Sequence, residues 1–264
     1  MGFIIFTWSG LLVFTVMTYL TMCLGISMGF HRLHTHKSFK TSRGLTVLLA
    51  LLGTLAIQGG PIRWVATHRL HHKTADQRSA DPHSPKDGFW WAHAGWTVFM
   101  HPELTADRLG SYASDLIQDP VFRYLEENYA WLYTASLLML GLGGFVYDGW
   151  PTAVSWVIWG GFVRTVYVWH ITWLVNSATH RFGYTNYQCL DDSRNLWWLA
   201  LLTSGEGWHN NHHAHPRAAK MGHRWFEFDL TYITLRIFQR LGLVKALIYP
   251  AKTDPCANRL VLAK

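Results

Sequence analysis

The sequence predicts an all-α integral membrane protein whose membrane helices run on into a helical cap carrying a His-rich di-metal site. Three observations predict it. Long runs lack any charged residue, and 15% of the 264 residues are charged, against about 25% in an average soluble domain. Fifteen Trp are present, a residue that favours bilayer interfaces. Sixteen His are present, most of them in three short clusters outside the apolar runs. This composition excludes a disordered or collagen-like chain, and three Cys are too few for a disulfide scaffold.

Residues 3–30 carry no charge. About 20 apolar residues cross a bilayer, so this helix crosses and projects beyond it. It has neither the basic start nor the cleavage site of a signal peptide. A second uncharged run lies between Arg43 and Arg63. Its flanking His clusters must lie on one side of the membrane to share a site. One crossing would separate them, and two need about 40 residues plus a turn. Residues 45–57 are therefore expected in the interface or packed against the protein, ending at Gly59-Gly60-Pro61. Residues 129–147 and 149–176, interrupted by Asp148 and Pro151, read as a hairpin that leaves and returns to the same side. The run at 196–202 is too short to span. Residues 226–249, with Glu227, Asp229, Arg236, Arg240 and Lys245, read as an amphipathic interfacial helix. Residues 31–128 and 177–225 make up the cap of a single domain. Arg32, Lys37, Lys40, Arg43, Arg63, Arg69 and Lys73 lie on the His-rich side and only Asp148 in the opposite loop, which makes the His-rich face cytoplasmic.

The clusters are His31-Arg32-Leu33-His34-Thr35-His36, His68-Arg69-Leu70-His71-His72 and His209-Asn210-Asn211-His212-His213. In the last two, spacing i, i+3, i+4 is expected to put three rings on one helix face. Asn176 and His180, also four apart, stand near the end of a membrane helix. Neutral imidazole is a common metal ligand, and eight or nine of them suffice for two ions with open positions. A closed structural zinc site needs only four ligands. Imidazole suits Fe, Zn, Cu and Ni alike; iron is preferred because open positions on a redox-active metal allow oxygen chemistry. Cys23, Cys189 and Cys256 are too dispersed for an iron–sulfur cluster.

GFHRLHTHKSF at 29–39, HRLHH at 68–72, ADPHSPKDGFWWAHAGW at 80–96, TWLVNSATHRFGY at 172–184 and GEGWHNNHHAHP at 205–216 together resemble the membrane fatty acid desaturases, in particular the Δ9 branch and its bacterial and cyanobacterial acyl-lipid members. The resemblance implies that His31, His36, His68, His71, His72, His180, His209, His212 and His213 ligate two ferrous ions, with Asn176 reaching one through water. It leaves His34 and His215 at non-ligand positions and makes Asp81 and His83, in the DPH element, partners that orient ligand rings; Glu206 is expected to do the same or to cap the turn before His209. The implied reaction is oxygen-dependent: neighbouring methylenes each lose a hydrogen, a cis double bond forms, and both atoms of O2 leave as water. Two electrons must come from outside. The chain shows no nucleotide fingerprint or haem motif, which implies a separate donor, ferredoxin or, as eukaryotic counterpart, cytochrome b5. The net charge of +7 attracts an acidic donor or anionic lipid; no nucleic-acid partner is expected. Zinc stands above iron in the affinity order and can replace it in an overexpressed sample.

Animal acyl-CoA members of that family carry Arg-Asp before the second cluster, where this chain has Ala66-Thr67, and a basic pair where it has Lys86-Asp87. Fewer cations for CoA phosphates favour acyl chains on membrane lipids. Members usually have a further membrane helix before the first cluster's own, which this chain starts with, so an apolar seam is expected to face lipid or a partner. Tyr19, 12 residues before His31 and so about 18 Å down the helix, is expected to stop the acyl tunnel, with Trp64 and Trp173 lining it nearer the site. Arg164 in an apolar helix needs a partner. Two alternatives remain: a related di-iron hydroxylase or ketolase, and a non-enzymatic metal transporter or sensor. The latter should place its ligands near the midplane, where these histidines are not.

Overall fold

The computed structural model describes residues 6–251. The first three residues of the expected 3–30 helix and Cys256 lie outside that range. Among the described residues the fold is all-α apart from one pair of two-residue strands. Helix α1 (Trp8–Thr35) is 28 residues long. It begins at Thr7, whose hydroxyl accepts from Gly10 N, and continues beyond the apolar run to include the first His cluster. From Tyr19 onward its winding is that of a π-helix. The first half exposes Trp8, Leu12 and Val16, while residues 21–35 are buried.

Helix α2 (Arg43–Thr54), capped by Ser42, packs against the buried half of α1. Glycines allow the close approach: a Cβ on Gly25 would lie 2.4 Å from Gly53 N, and one on Gly29 2.8 Å from the Leu49 carbonyl. The segment thus lies against α1 and ends earlier than Ile57. Helix α3 (Pro61–Thr74) starts with Pro at its first turn; the Glu126 carboxylate accepts from Ile62 N and Arg63 N, replacing a side-chain cap. Short helices α4 (Phe89–His93) and α5 (Leu109–Ile117) follow.

Helix α6 (Pro120–Trp156) begins behind the Asp119 cap and breaks at Asp148-Gly149, where Gly149 takes φ 74°. The return arm passes through a π-helical stretch, Val157–Val163, into α7 (Arg164–Ser177). The arms form an antiparallel hairpin, since a Cβ on Gly144 would meet Ala153 Cα at 2.7 Å and one on Gly161 would meet Leu137 at 2.3 Å. Such small-residue seams pack helices without a hydrophobic driving force. Residues 120–128, expected in the cap, continue the first arm. Leu138, Met139, Leu142 and Val146 are exposed on it. The α1 helix and this hairpin are long and apolar enough to cross a membrane. The partner of Arg164 is the end of α2: its Nη1 donates to the Leu55 carbonyl at 2.8 Å, where the helix dipole favours a cation.

Helices α8 (Trp197–Leu202), α9 (His209–Ala214) and α10 (Leu230–Arg240) complete the cap. The amphipathic helix expected over 226–249 occupies only 11 of those residues. Asp229 caps its start, Gly242 at φ 73° follows its end, and β2 (Val244–Lys245) then pairs antiparallel with β1 (Lys40–Thr41). Leu235 is buried while Ile233, Ile237 and Leu241 are exposed.

Candidate metal centre and acyl cavity

Helix geometry sorts the histidines into two groups whose ring nitrogens converge. The first holds His31, His36, His68, His72 and His212; the second holds His71, His180, His209 and His213. His31 and His36 are five apart. In an α-helix they would diverge, but the i→i+5 bond from His36 N to the His31 carbonyl, 3.1 Å, sets one above the other, with ring centroids 4.9 Å apart. Each HxxHH cluster divides. On α3, His68 and His72 serve the first group and His71 the second. On α9, His209 and His213 serve the second and His212 the first. The expectation that each triplet presents one face is thus corrected. The i, i+4 pair points to one centre and the remaining ring to the other, because each helix runs between the two.

Within the first group, Nε2–Nε2 distances are 3.0 Å for His31–His212, 3.0 Å for His68–His72 and 2.8 Å for His72–His212. In the second they are 3.0 Å for His180–His209 and 3.3 Å for His71–His213. Two nitrogens at right angles, each about 2.1 Å from one ion, stand about 3.0 Å apart. His36 Nε2 is buried with no hydrogen-bond partner. Convergent Nε2 lone pairs and an orphaned one fit metal ions at both centres.

Carboxylates hold the far side of these rings. His71 Nδ1 lies 3.0 Å from both Asp81 oxygens, His180 Nδ1 is 3.0 Å from Asp76, and His213 Nδ1 is 3.0 Å from Asp191. His31 Nδ1 pairs with Glu206, which also accepts from Ser27 and lies 3.6 Å from Arg32. A proton held on Nδ1 leaves Nε2 free to ligate. Burial, and then neighbouring imidazoles, push His36, His68, His72, His209 and His212 well below the ordinary imidazole value. Burial also lowers His213, against the pull of Asp191. For His71 burial is outweighed by Asp81 and the value rises, while Asp81 itself is held below the usual carboxylate range despite its burial. His83 sits 4.4 Å from the His71 ring and 3.6 Å from Asp81; burial, aided by His71, pushes it down to about 3.

Asp76 and Asp191 are absent from the sequence-based candidates. Asp76 follows His72 by four residues and sits at φ 60°, a conformation in which Asp is enriched. The available signal was the rule that ligating imidazoles need carboxylate partners; Asp191 lies too far along the chain from any cluster to be paired by spacing. His34 and His215 stand outside both groups, with His34 over Phe122 at 4.9 Å.

A cavity of about 1140 Å³ reaches the first group. Trp64, Trp173, His68, Asp81, His83 and Asn176 line it, with Gln58, Trp169 and Thr172 deeper among the membrane helices. Trp64 stacks on His68 at 5.2 Å and donates to Gln58, which donates to Thr172 at 3.0 Å. Tyr19 is not among the lining residues. The π-wound stretch that starts there turns it toward α10, where its hydroxyl is 3.0 Å from Thr234. Three residues on, Met22 lies behind the wall, its sulfur 3.7 Å from the hydroxyl of the lining residue Thr172. A smaller opening of about 290 Å³, rimmed by Arg69 and Lys73, exposes edges of His36, His72 and His213.

The sequence model of one family, Fatty acid desaturase, matches residues 6–238. The chain belongs to that family. It is 47% identical over 239 residues to the sn-1 stearoyl-lipid 9-desaturase of Anabaena variabilis, covering 90% of this chain and 84% of that one. It is 44% identical to the sn-1 stearoyl-lipid 9-desaturase of Synechocystis sp., over 94% of this chain and 74% of that one. To the sn-2 palmitoyl-lipid 9-desaturase of a Nostoc species it is 42% identical, over 92% and 83%. The His groups of this desaturase are consistent with a metal site, and its two long apolar elements with membrane association.

Proposed function

We propose that this desaturase uses O2 to insert a cis double bond at Δ9 of a saturated acyl chain carried on a membrane lipid. The observation that carries the reading is a pair of adjoining convergent imidazole groups, the first of which opens through His68 onto one tryptophan-walled cavity. His31, His36, His68, His72 and His212 hold one iron; His71, His180, His209 and His213 hold the other. Asn176 faces the cavity beside them. When bound, the irons supply O2 reduction and hydrogen abstraction. The chain's residues do the rest. Asp76, Asp81, Asp191 and Glu206 keep a proton on Nδ1 of their partner rings. The tryptophans exclude water and, with the Gln58–Thr172 bridge, fix the chain's position.

The names of the three relatives support the lipid carrier, and the charges agree. Ala66 is buried, the Thr67 hydroxyl donates to the Arg63 carbonyl, and Lys86 pairs with Asp192 at 3.3 Å, leaving little cation for CoA phosphates. Two external electrons arrive singly from a ferredoxin-type donor at the basic opening beside Arg69 and Lys73, on a His-rich face turned to the cytoplasm of a bacterial membrane.

The test is mass spectrometry of total fatty acids in a host without its own Δ9 oxygenase, co-expressing ferredoxin and its reductase. New Δ9 monoenes that vanish with His212→Ala are expected. Hydroxylated chains, or monoenes that persist in the variant, would contradict the proposal.

A further inference from the structure

The cavity mouth carries an exposed apolar edge. Val98, Phe99 and Met100 line the cavity yet are 77%, 66% and 62% exposed, and nearby Trp90 is 75% exposed. Phe99 is held in place by stacking on Trp91, another lining residue, at 5.8 Å. The segment's level relative to the bilayer follows from α4. His93 Nε2 is 3.0 Å from His170 Nδ1, and His93 Nδ1 is 3.3 Å from Ser177 Oγ. Residues 170 and 177 belong to the last two turns of the return arm of the hairpin, which as a whole is long and apolar enough to span the membrane. The helix preceding the edge is therefore fastened at the membrane surface, and the edge continues from it without leaving the cavity wall.

The polar side of the mouth is uncharged or acidic. Asp87 accepts from Ser79 N at 3.0 Å, and His101 Nε2 is 3.3 Å from the Ser79 carbonyl. Arg63, the one Lys or Arg among the described lining residues, donates to the Leu104 carbonyl at 3.2 Å. A polyanionic carrier meets a single cation among the described lining residues, and that one already donates to a backbone carbonyl.

We propose that Val98–Met100 and Trp90 form a lip that dips into the bilayer and hands an acyl chain sideways from a membrane lipid into the cavity, while the glycerol end stays at the surface. Exposed aromatic and aliphatic side chains partition into the headgroup–acyl boundary, and a tail that slides over Phe99 never crosses water. The proposal rests on the acyl-lipid reading above and specifies its route of entry.

The test needs no turnover. Phe99→Cys, in a background with accessible cysteines replaced by serine, is labelled with an environment-sensitive fluorophore. The full chain is placed in phosphatidylcholine vesicles containing nitroxide-bearing phosphatidylcholine. Leu138→Cys on the hairpin and Lys37→Cys on the cap are the membrane and water references. Quenching at residue 99 within about twofold of residue 138, and about fivefold above residue 37, is expected. Quenching equal to residue 37 overturns the lip. Kinetics give a second reading. Phe99→Asp should raise KM about tenfold for lipid in vesicles, and much less for the same lipid dispersed in detergent. An equal rise in both overturns the proposal. If the wild type makes no monoene, the desaturase reading fails, and the quenching still decides the lip.

Discussion

The two imidazole groups share α3 and α9 but differ in what stands behind their rings. Among the described residues, the first has five imidazoles backed by a single carboxylate, Glu206. The second has four imidazoles, three of them backed by Asp76, Asp81 and Asp191. A carboxylate behind an imidazole fixes its orientation and raises its basicity. The second centre is therefore preorganised for a cation by its surroundings, and the first by ligand number and by the π-turn that joins His31 to His36. The less supported centre is also the one the large cavity reaches, through His68.

The largest expected effects come from removing one imidazole from either group. His212→Ala and His213→Ala each drop desaturation by more than about 100-fold, beyond the range for outer partners. Metal analysis then tells them apart: each variant retains the ion of the other centre. Loss of both ions from either variant would mean that the groups act as one site.

Next come the carboxylates. Asp81→Asn or Asp191→Asn should weaken metal binding at the second centre by roughly 10- to 100-fold, with the fold kept. Glu206→Gln should weaken the first centre similarly and also lower stability by about 1–3 kcal/mol, because Arg32 and Ser27 lose a buried charged partner. Metal titration and thermal unfolding, measured on the same variants, separate the two effects.

The two groups also respond differently to pH. His36, His68, His72 and His212 of the first group have folded values well below the ordinary imidazole value. The unfolded chain then binds more protons in acid. Their contribution to metal-free stability is complete above about pH 6.5 and is lost as pH falls below it. His71, whose value is raised, works in the opposite sense. The melting temperature of the metal-free protein should fall by about 5 °C or more from pH 7.5 to pH 5.5. His212→Gln should flatten that slope, whereas His71→Gln should steepen it. Equal slopes in both variants would remove the distinction between the groups.

The smallest effects lie in the packing around the rings. Trp64→Leu removes the stack on His68, worth about 0.5–1.5 kcal/mol, and should weaken the first centre a few-fold while leaving the second unchanged in metal titration. Arg43→Ala breaks an exposed pair with Asp119, should cost at most about 1 kcal/mol, and should alter neither centre.

Much of this arrangement is written locally. Uncharged length announces α1, Asp148 and Pro151 announce the hairpin turn, and the His spacings announce helices bearing ligands. What spacing hides is winding and distance. The α-helical period gives no hint that Tyr19–Thr35 is π-wound, yet that winding turns Tyr19 to Thr234 and joins His31 to His36. The division of each HxxHH triplet depends on where α3 and α9 pass relative to each other, a tertiary fact. Asp191 reaches His213 through a loop whose path no periodicity records. The amphipathic stretch at 226–249 is cut short by Asp229 and Gly242, whose turn geometry overrides its composition.

Mössbauer spectroscopy of the protein loaded with ⁵⁷Fe(II) tests the pair of unequal centres most directly. Two iron ions per chain giving two ferrous doublets of equal area are expected, with Asp191→Asn shifting or depleting only one. A single iron per chain, or one doublet that responds as a whole to Asp191→Asn, would contradict the account.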